Sequence, residues 1–135
     1  MRRDFSPTPV DAAYLDSLGL RWEALAAAGE FWLVIYGWPL PPGYGRETTD
    51  VAVKVEPGYP AAQLDMAYFH PPLARVDGRP INATEAIQPL DGKGWQRWSR
   101  HRTGANPWVP GEDCLETHTV LVADWLAREF QPRAA

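Results

Sequence analysis

The sequence predicts an α+β domain in which an antiparallel β-meander lies between an N-terminal helix and a long C-terminal helix. Two stretches, 51–56 and 64–69, alternate apolar and polar residues with the period of two that is typical of half-buried strands. Fourteen Pro and eleven Gly among 135 residues oppose a helical bundle. Near the C-terminal end, Leu115, Val122 and Leu126 fall on one helical stripe. Strands in the middle and helices at both ends indicate the α+β class.

The N-terminal elements are predicted from the positions of Pro and Gly. Residues 1–9 are expected to form a loose arm, and a short helix follows with Pro9 in its first turn and Gly19 at its end. The stretch 22–28 fits either a second helix or an edge strand. Residues 31–36 are the clearest strand, because they are β-branched and aromatic and are bounded by glycines.

The C-terminal half is irregular until its last helix. Residues 39–45 are rich in Pro and Gly and predict a loop. No convincing periodicity is found between Pro72 and Gly111, and irregular segments of that length are typically functional. The last helix is expected over 112–130, with acidic residues in its first turn and Pro132 ending it.

Composition restricts the class of protein. No linker separates two apolar halves, so we expect a single domain over 1–135. The net charge of -4 argues against a nucleic-acid partner, which needs a basic face. No apolar run is long enough to span a membrane, and the N-terminus lacks the apolar region of a signal peptide. The single cysteine suits a reducing compartment, and we expect a cytoplasmic protein.

The segment 97–102 carries the most unusual combination of side chains. Arg97 and Arg100 surround a hydroxyl with positive charge, which would suit an anion or a developing oxyanion. Ser99 and His101 are candidates for nucleophile and base, provided that the loop geometry brings them together. A solvated basic loop whose tryptophans fill the core explains the same residues equally well.

Cys114 and His118 are the alternative catalytic pair, since four residues separate them on one helix face. A helix N-terminus favours a thiolate, but Asp113 and Glu116 oppose it, so we expect Cys114 to be dispensable. A metal-dependent hydrolase using His101, His118 and Cys114 is a further class. The sequence lacks a tight ligand motif and a Gly-rich phosphate loop, and we expect no metal and no other cofactor.

Several motifs, in order along the chain, resemble those of the ubiquitin-conjugating-enzyme fold. Those motifs are a Tyr-Pro turn, a His-Pro motif after a strand and a Trp-x-Pro motif before the last helix, here Gly58–Pro60, Tyr68–Pro72 and Trp108–Pro110. The chain is more closely similar to the bacterial branch called prokaryotic family E. The similar stretches are Leu40–Tyr44, Leu64–Met66, Trp95–His101 and Trp108–Asp113. The resemblance covers residues 10–130.

This resemblance implies a role in a bacterial ubiquitin-like conjugation pathway. The implied partners are a ubiquitin-like protein, an activating enzyme that consumes the ATP and, often, a metalloprotease of the same operon. The chain also departs from the pattern of the family. Pro72 stands where conjugating enzymes have an asparagine, and no cysteine lies between His70 and Trp108, where they keep their nucleophile.

Ser99 lies next to the position that the resemblance gives to the missing nucleophile. The protein is therefore expected to be an acyl carrier that holds the ubiquitin-like protein as an oxyester on Ser99. In this hypothesis His101 is the base, and Arg97 and Arg100 give electrostatic stabilisation. The alternative is a non-catalytic variant of the fold that binds the ubiquitin-like protein and positions it for another enzyme.

Overall fold

The structure is a computed structural model that describes residues 1–131, so the predicted helix end at Pro132 lies outside the described residues. Two helices and six strands follow one another along the chain. They are α1 (Pro9–Ser17), β1 (Trp22–Ala27), β2 (Glu30–Pro39), β3 (Thr48–Val55), β4 (Ala67–His70), β5 (Ile87–Leu90), β6 (Lys93–Trp98) and α2 (Leu115–Arg128).

The six strands form one antiparallel sheet in the order β1-β2-β3-β4-β6-β5. The predicted α+β class is confirmed, and so is the meander, which runs from β1 to β4. The ambiguous stretch at 22–28 is a strand, because Trp22 pairs with Ile35 and the register continues to Ala27 opposite Glu30. Among the described residues, no helix is long and apolar enough to cross a bilayer.

The helix α2 covers one face of the sheet. Its three predicted stripe residues, Leu115, Val122 and Leu126, are buried in the main core together with Phe69 and Trp98 of the sheet. Burial of large apolar side chains against the sheet is the main favourable contribution to the stability of this layer.

A second core, which the sequence analysis did not predict, lies on the opposite face of the sheet. Trp32, Tyr68 and Trp95 are its largest members, and all three are buried. A hydrogen bond of 2.8 Å from Arg2 Nη1 to Asp91 Oδ1 links the arm beside β1 to the turn between β5 and β6, although these strands are the two edges of the sheet. The sheet is therefore curled around this second core.

The prediction of a loose arm is wrong for residues 2–4. The Ala24 N–H donates to Arg2 O at 3.0 Å, and the Asp4 N–H donates to Ala24 O at 2.7 Å. The Arg3 guanidinium lies 3.3 Å from the centre of the Trp22 ring. These contacts extend the edge of the sheet beyond β1, because an edge strand has unpaired backbone groups to offer.

The expectation of an irregular segment after Pro72 is also wrong in part, because β5 and β6 form a hairpin there. The connecting residues Asp91 and Gly92 have φ of 53° and 73°. Positive φ at both central residues is the type I′ turn, for which Asp-Gly is a strong sequence signal. Pro89 breaks the strand pattern of β5, and proline is tolerated there because β5 is an edge strand.

Two predicted element starts shift by three residues. The helix α2 begins at Leu115 and not at residue 112, because the Asp113 carboxylate accepts the Val109 N–H at 2.7 Å in the turn before the helix. The strand β4 begins at Ala67 and not at residue 64. Met66 has a φ of 59°, a left-handed conformation that lies outside the range of regular strand residues.

Candidate functional site

The ends of two neighbouring strands bring the candidate site together. Ala67 at the start of β4 pairs with Trp98 at the end of β6. The residues just before β4 and just after β6 therefore lie side by side, since the two strands are antiparallel. Asp65 precedes β4, whereas Ser99 and His101 follow β6.

Asp65, His101 and Ser99 form a chain of hydrogen bonds, which we call the relay. His101 Nε2 lies 3.1 Å from Ser99 Oγ. His101 Nδ1 lies 3.0 Å from each of the two carboxylate oxygens of Asp65. A carboxylate only accepts hydrogen bonds, so Nδ1 carries the ring proton and Nε2 presents its lone pair to the hydroxyl. This order of groups lets an imidazole take a proton from a serine.

The relay is open to solvent. The His101 side chain is 57% exposed and that of Asp65 is 30% exposed. The structure thus brings together two predicted site residues, Ser99 and His101, with a third group that sequence analysis did not consider.

His118 is buried in α2 and holds the segment that carries Asp65. Its Nε2 donates to the Met66 carbonyl oxygen at 2.8 Å, and its Nδ1 has no hydrogen-bond partner among residues 1–131. Burial lowers the pKa of His118, which favours the neutral ring. His118 therefore makes no hydrogen bond to the thiol of Cys114, its predicted partner, and instead fixes the backbone next to the relay.

The two arginines of the predicted site have different surroundings. Arg100 Nη1 donates to the carbonyl oxygens of Asn82 at 2.9 Å and Ser99 at 3.3 Å, and the guanidinium lies 4.9 Å from the centre of the Trp98 ring. Arg97 lies opposite Tyr68 in the sheet, and its buried Nε has no hydrogen-bond partner in the described part of the chain. Their electrostatic role is still a prediction.

Two cavities lie against His101. The first, of about 380 Å³, is lined by Asn82, Arg100, His101, Trp125, Arg128 and Glu129. The second, of about 220 Å³, also lies against His101, Trp125 and Arg128, and Arg102 forms part of its wall. Both cavities combine an aromatic surface with cationic side chains.

Cys114 lies apart from the relay, at the N-cap of α2. Its N–H donates to Thr117 Oγ1 at 3.0 Å. The next amide, that of Leu115, donates to the buried carboxyl group of Asp11 at 3.1 Å, and the Tyr59 hydroxyl donates to the same group. The prediction that Cys114 is dispensable is not tested by this geometry.

Neither His70 nor a metal site forms part of the relay. His70, in the His-Pro motif, lies outside the relay: its Nδ1 donates to Gly94 O at 3.0 Å and its ring lies 5.5 Å from that of Trp95. Within residues 1–131, no three His, Cys, Asp or Glu side chains are grouped as a metal site. His101, His118 and Cys114 therefore do not form the ligand set of the hydrolase alternative.

Comparison with protein families identifies the class of this protein. Residues 8–129 match the family described as Prokaryotic E2 family E. The chain belongs to this family, which confirms the resemblance carried by its motifs, and the α+β fold with a helix at each end agrees with an E2-like domain. Searches of curated proteins and of solved structures give no significant match.

Asp65 is the site residue that sequence analysis missed. It lies in Leu64–Met66, one of the stretches that resemble the family, but the sequence gives no spacing that relates it to His101. The relation depends on the pairing of β4 with β6. The Asp-Gly pair at 91–92 is a sequence signal that could have helped, because it predicts a hairpin turn. The second strand of that hairpin would end just before Ser99.

Proposed function

We propose that this protein accepts the C-terminal carboxyl group of a ubiquitin-like protein on Ser99, as an oxyester. The observation that carries the proposal is the relay, in which His101 connects the Ser99 hydroxyl with the Asp65 carboxylate. A serine hydroxyl is a weak nucleophile at neutral pH and needs an adjacent base. Membership of a prokaryotic E2 family supports the choice of acyl group.

The reaction starts from the thioester that joins the ubiquitin-like protein to its activating enzyme. His101 Nε2 takes the hydroxyl proton while Ser99 Oγ attacks the thioester carbonyl carbon. The C–S bond breaks, and the proton passes from His101 to the departing thiolate. Asp65 keeps the imidazole in the correct tautomer and stabilises its protonated form. Arg97 and Arg100 add positive charge near the developing oxyanion.

The cavities beside His101 support binding of an extended C-terminal tail. The Trp125 ring offers a flat apolar surface, and the guanidinium groups of Arg100 and Arg128 can donate hydrogen bonds to the backbone carbonyl oxygens of the tail. The partners in this proposal are the ubiquitin-like protein, its activating enzyme and a metalloprotease of the same operon that would cleave the products. We place the pathway in the cytoplasm.

A non-catalytic role is the second candidate. No cysteine lies between His70 and Trp108, which favours a variant that binds the ubiquitin-like protein and presents it to another enzyme. The same cavities would then bind the tail without forming a bond.

Denaturing mass spectrometry distinguishes the two candidates. The protein is mixed with the activating enzyme, ATP and the ubiquitin-like protein, and the mass of the adduct is measured. Ser99→Ala is expected to abolish the adduct, whereas Ser6→Ala, at an exposed serine that makes no hydrogen bond within residues 1–131, is expected to form it normally. Binding of the ubiquitin-like protein without any adduct would establish the non-catalytic role.

A further inference from the structure

We infer that the relay also hydrolyses the ester formed on Ser99, so that the protein is an acyl esterase as well as an acyl acceptor. This inference rests on the proposed acylation of Ser99. Its substrates are activated acyl groups, namely thioesters and oxyesters with a good leaving group. The product is the free carboxylic acid, released when no amine is positioned to receive the acyl group.

Hydrolysis of the ester uses the same groups as acylation, with water in place of the Ser99 hydroxyl as the proton donor. Water binds to His101 Nε2, gives it a proton and attacks the carbonyl carbon of the Ser99 ester. The bond between that carbon and Ser99 Oγ breaks, and the serine recovers its proton from His101. One water is consumed and one carboxylic acid is released, with no oxidant, reductant or cofactor.

The geometry of His101 favours this step. Both carboxylate oxygens of Asp65 hold Nδ1, so the basic lone pair of the ring is on Nε2. Before acylation this lone pair faces the Ser99 hydroxyl. An ester has no hydroxyl proton, so acylation leaves Nε2 free to bind water. With 57% of the His101 side chain exposed, water reaches that position directly.

Backbone N–H groups that could serve as donors for the oxyanion follow Ser99 in the sequence. The Ser99 N–H is already used, since it donates to Ala83 O at 3.0 Å. The backbone N–H groups of His101 and Arg102 have no acceptor within residues 1–131. Amides that are free of internal partners can stabilise the negative charge that develops on the carbonyl oxygen.

The lysines of the chain do not compete with water for the acyl group. The chain has two, Lys54 and Lys93. Lys54 is ion-paired with Glu30. Lys93 is at the opposite end of β6, about 20 Å from Ser99 at the usual rise of a strand. Transfer to an amine therefore requires a substrate that brings its own, and water is the default acceptor.

The test uses p-nitrophenyl acetate, whose leaving group is coloured, and the full chain. We expect a burst of p-nitrophenolate followed by steady turnover, with covalently bound acetate mapped to Ser99 by mass spectrometry. Ser99→Ala should reduce turnover to background. His101→Gln and Asp65→Asn should lower it roughly 10²–10⁴-fold, the usual contribution of general acid–base groups. His70→Gln is the matched control, since that ring lies outside the relay, and circular dichroism checks folding of each variant.

Each outcome has a distinct meaning. Steady turnover that depends on Ser99 supports the inference. A single equivalent of p-nitrophenolate with stable acetyl-Ser99 overturns hydrolysis and leaves the acyl-carrier proposal intact. No release that depends on Ser99, from a folded protein, also overturns hydrolysis. In that case the adduct assay with the ubiquitin-like protein decides separately whether Ser99 is an acceptor at all.

Discussion

Two histidines close to each other in the fold have opposite environments. His101 is exposed and hydrogen-bonded to Asp65 and Ser99, whereas His118 is buried and donates to Met66 O. The first can exchange protons with substrate and water. The second fixes the left-handed Met66 and thereby the neighbouring Asp65. We regard His118 as a positioning residue of the relay.

The buried His118 makes stability depend on pH. Desolvation lowers its pKa, an effect reinforced by Arg102 and opposed by the bond to Met66 and by Asp65. At a pH below 6.5, the ordinary pKa of a histidine, His118 binds a proton in the unfolded chain but resists protonation in the folded protein. The free energy of unfolding should therefore fall as the pH decreases from 7 towards the lowered pKa of the folded protein.

Urea unfolding at a series of pH values measures this dependence. His118→Gln retains a donor for Met66 O and should flatten the slope between pH 7 and 5.5, above the range in which carboxyl groups titrate. Equal slopes in His118→Gln and in the unmodified protein would contradict this account of His118.

At this scale the sequence predicted part of the site. Ser99 and His101 were recognised from their residue types and proximity, and the structure joins them. The roles of Asp65 and His118 could not be predicted, because they depend on contacts between residues far apart in the sequence. Asp65 and His101 are 36 residues apart, and Met66 and His118 are 52 residues apart. The spacing of Cys114 and His118 places them on one helix face, but it does not predict the hydrogen-bond partners of either side chain.

Among the elements, the β5–β6 hairpin places Ser99. The turn at Asp91 and Gly92 sets the register of β6, and β6 ends beside the start of β4. The prediction missed this hairpin because Pro89 and Gly94 interrupt the alternation of its strands. The long strand at 31–36 was predicted correctly because its apolar run is continuous, and the stripe of α2 because Leu115, Val122 and Leu126 keep the helical spacing.

The turn provides a test at the level of the element. Gly92 has a φ of 73° and no heavy atom near the place of a Cβ, so Gly92→Ala acts through backbone strain alone. It should destabilise the protein by about 1–2 kcal/mol. Gly104→Ala is the matched control, because Gly104 has equally open surroundings without a positive φ. Urea unfolding that shows equal stability for both variants would contradict the assigned turn.

Across the whole molecule, a buried carboxyl group joins segments that are distant in sequence. Asp11 of α1 accepts the first amide of α2, from Leu115, and the hydroxyl of Tyr59 in the loop after β3. Burial and the nearby Asp11 raise the pKa of Tyr59 well above its usual range, so the hydroxyl stays a donor. The position of α2 over the sheet, and with it His118, depends partly on this junction.

Asp11→Ala should destabilise the protein by about 2–5 kcal/mol, because it leaves the buried Leu115 N–H and the half-buried Tyr59 hydroxyl without their acceptor. Asp16→Ala should cost much less, because Asp16 is an exposed carboxylate of the same helix that, within residues 1–131, accepts only the Trp22 Nε1–H at 3.0 Å. Thermal and urea unfolding of the two variants measure the difference. Similar losses of stability would show that Asp11 does not join the two helices.

The identity of the bond at position 99 is the most direct test of the central claim. Ser99→Cys is charged with the ubiquitin-like protein beside the unmodified protein, and both adducts are treated with dithiothreitol and with hydroxide. The unmodified protein is expected to give an adduct that resists dithiothreitol and is cleaved by hydroxide, as an oxyester is. Ser99→Cys is expected to give an adduct that dithiothreitol cleaves, as a thioester is. Adducts of identical sensitivity in both proteins would show that the acyl group is attached elsewhere.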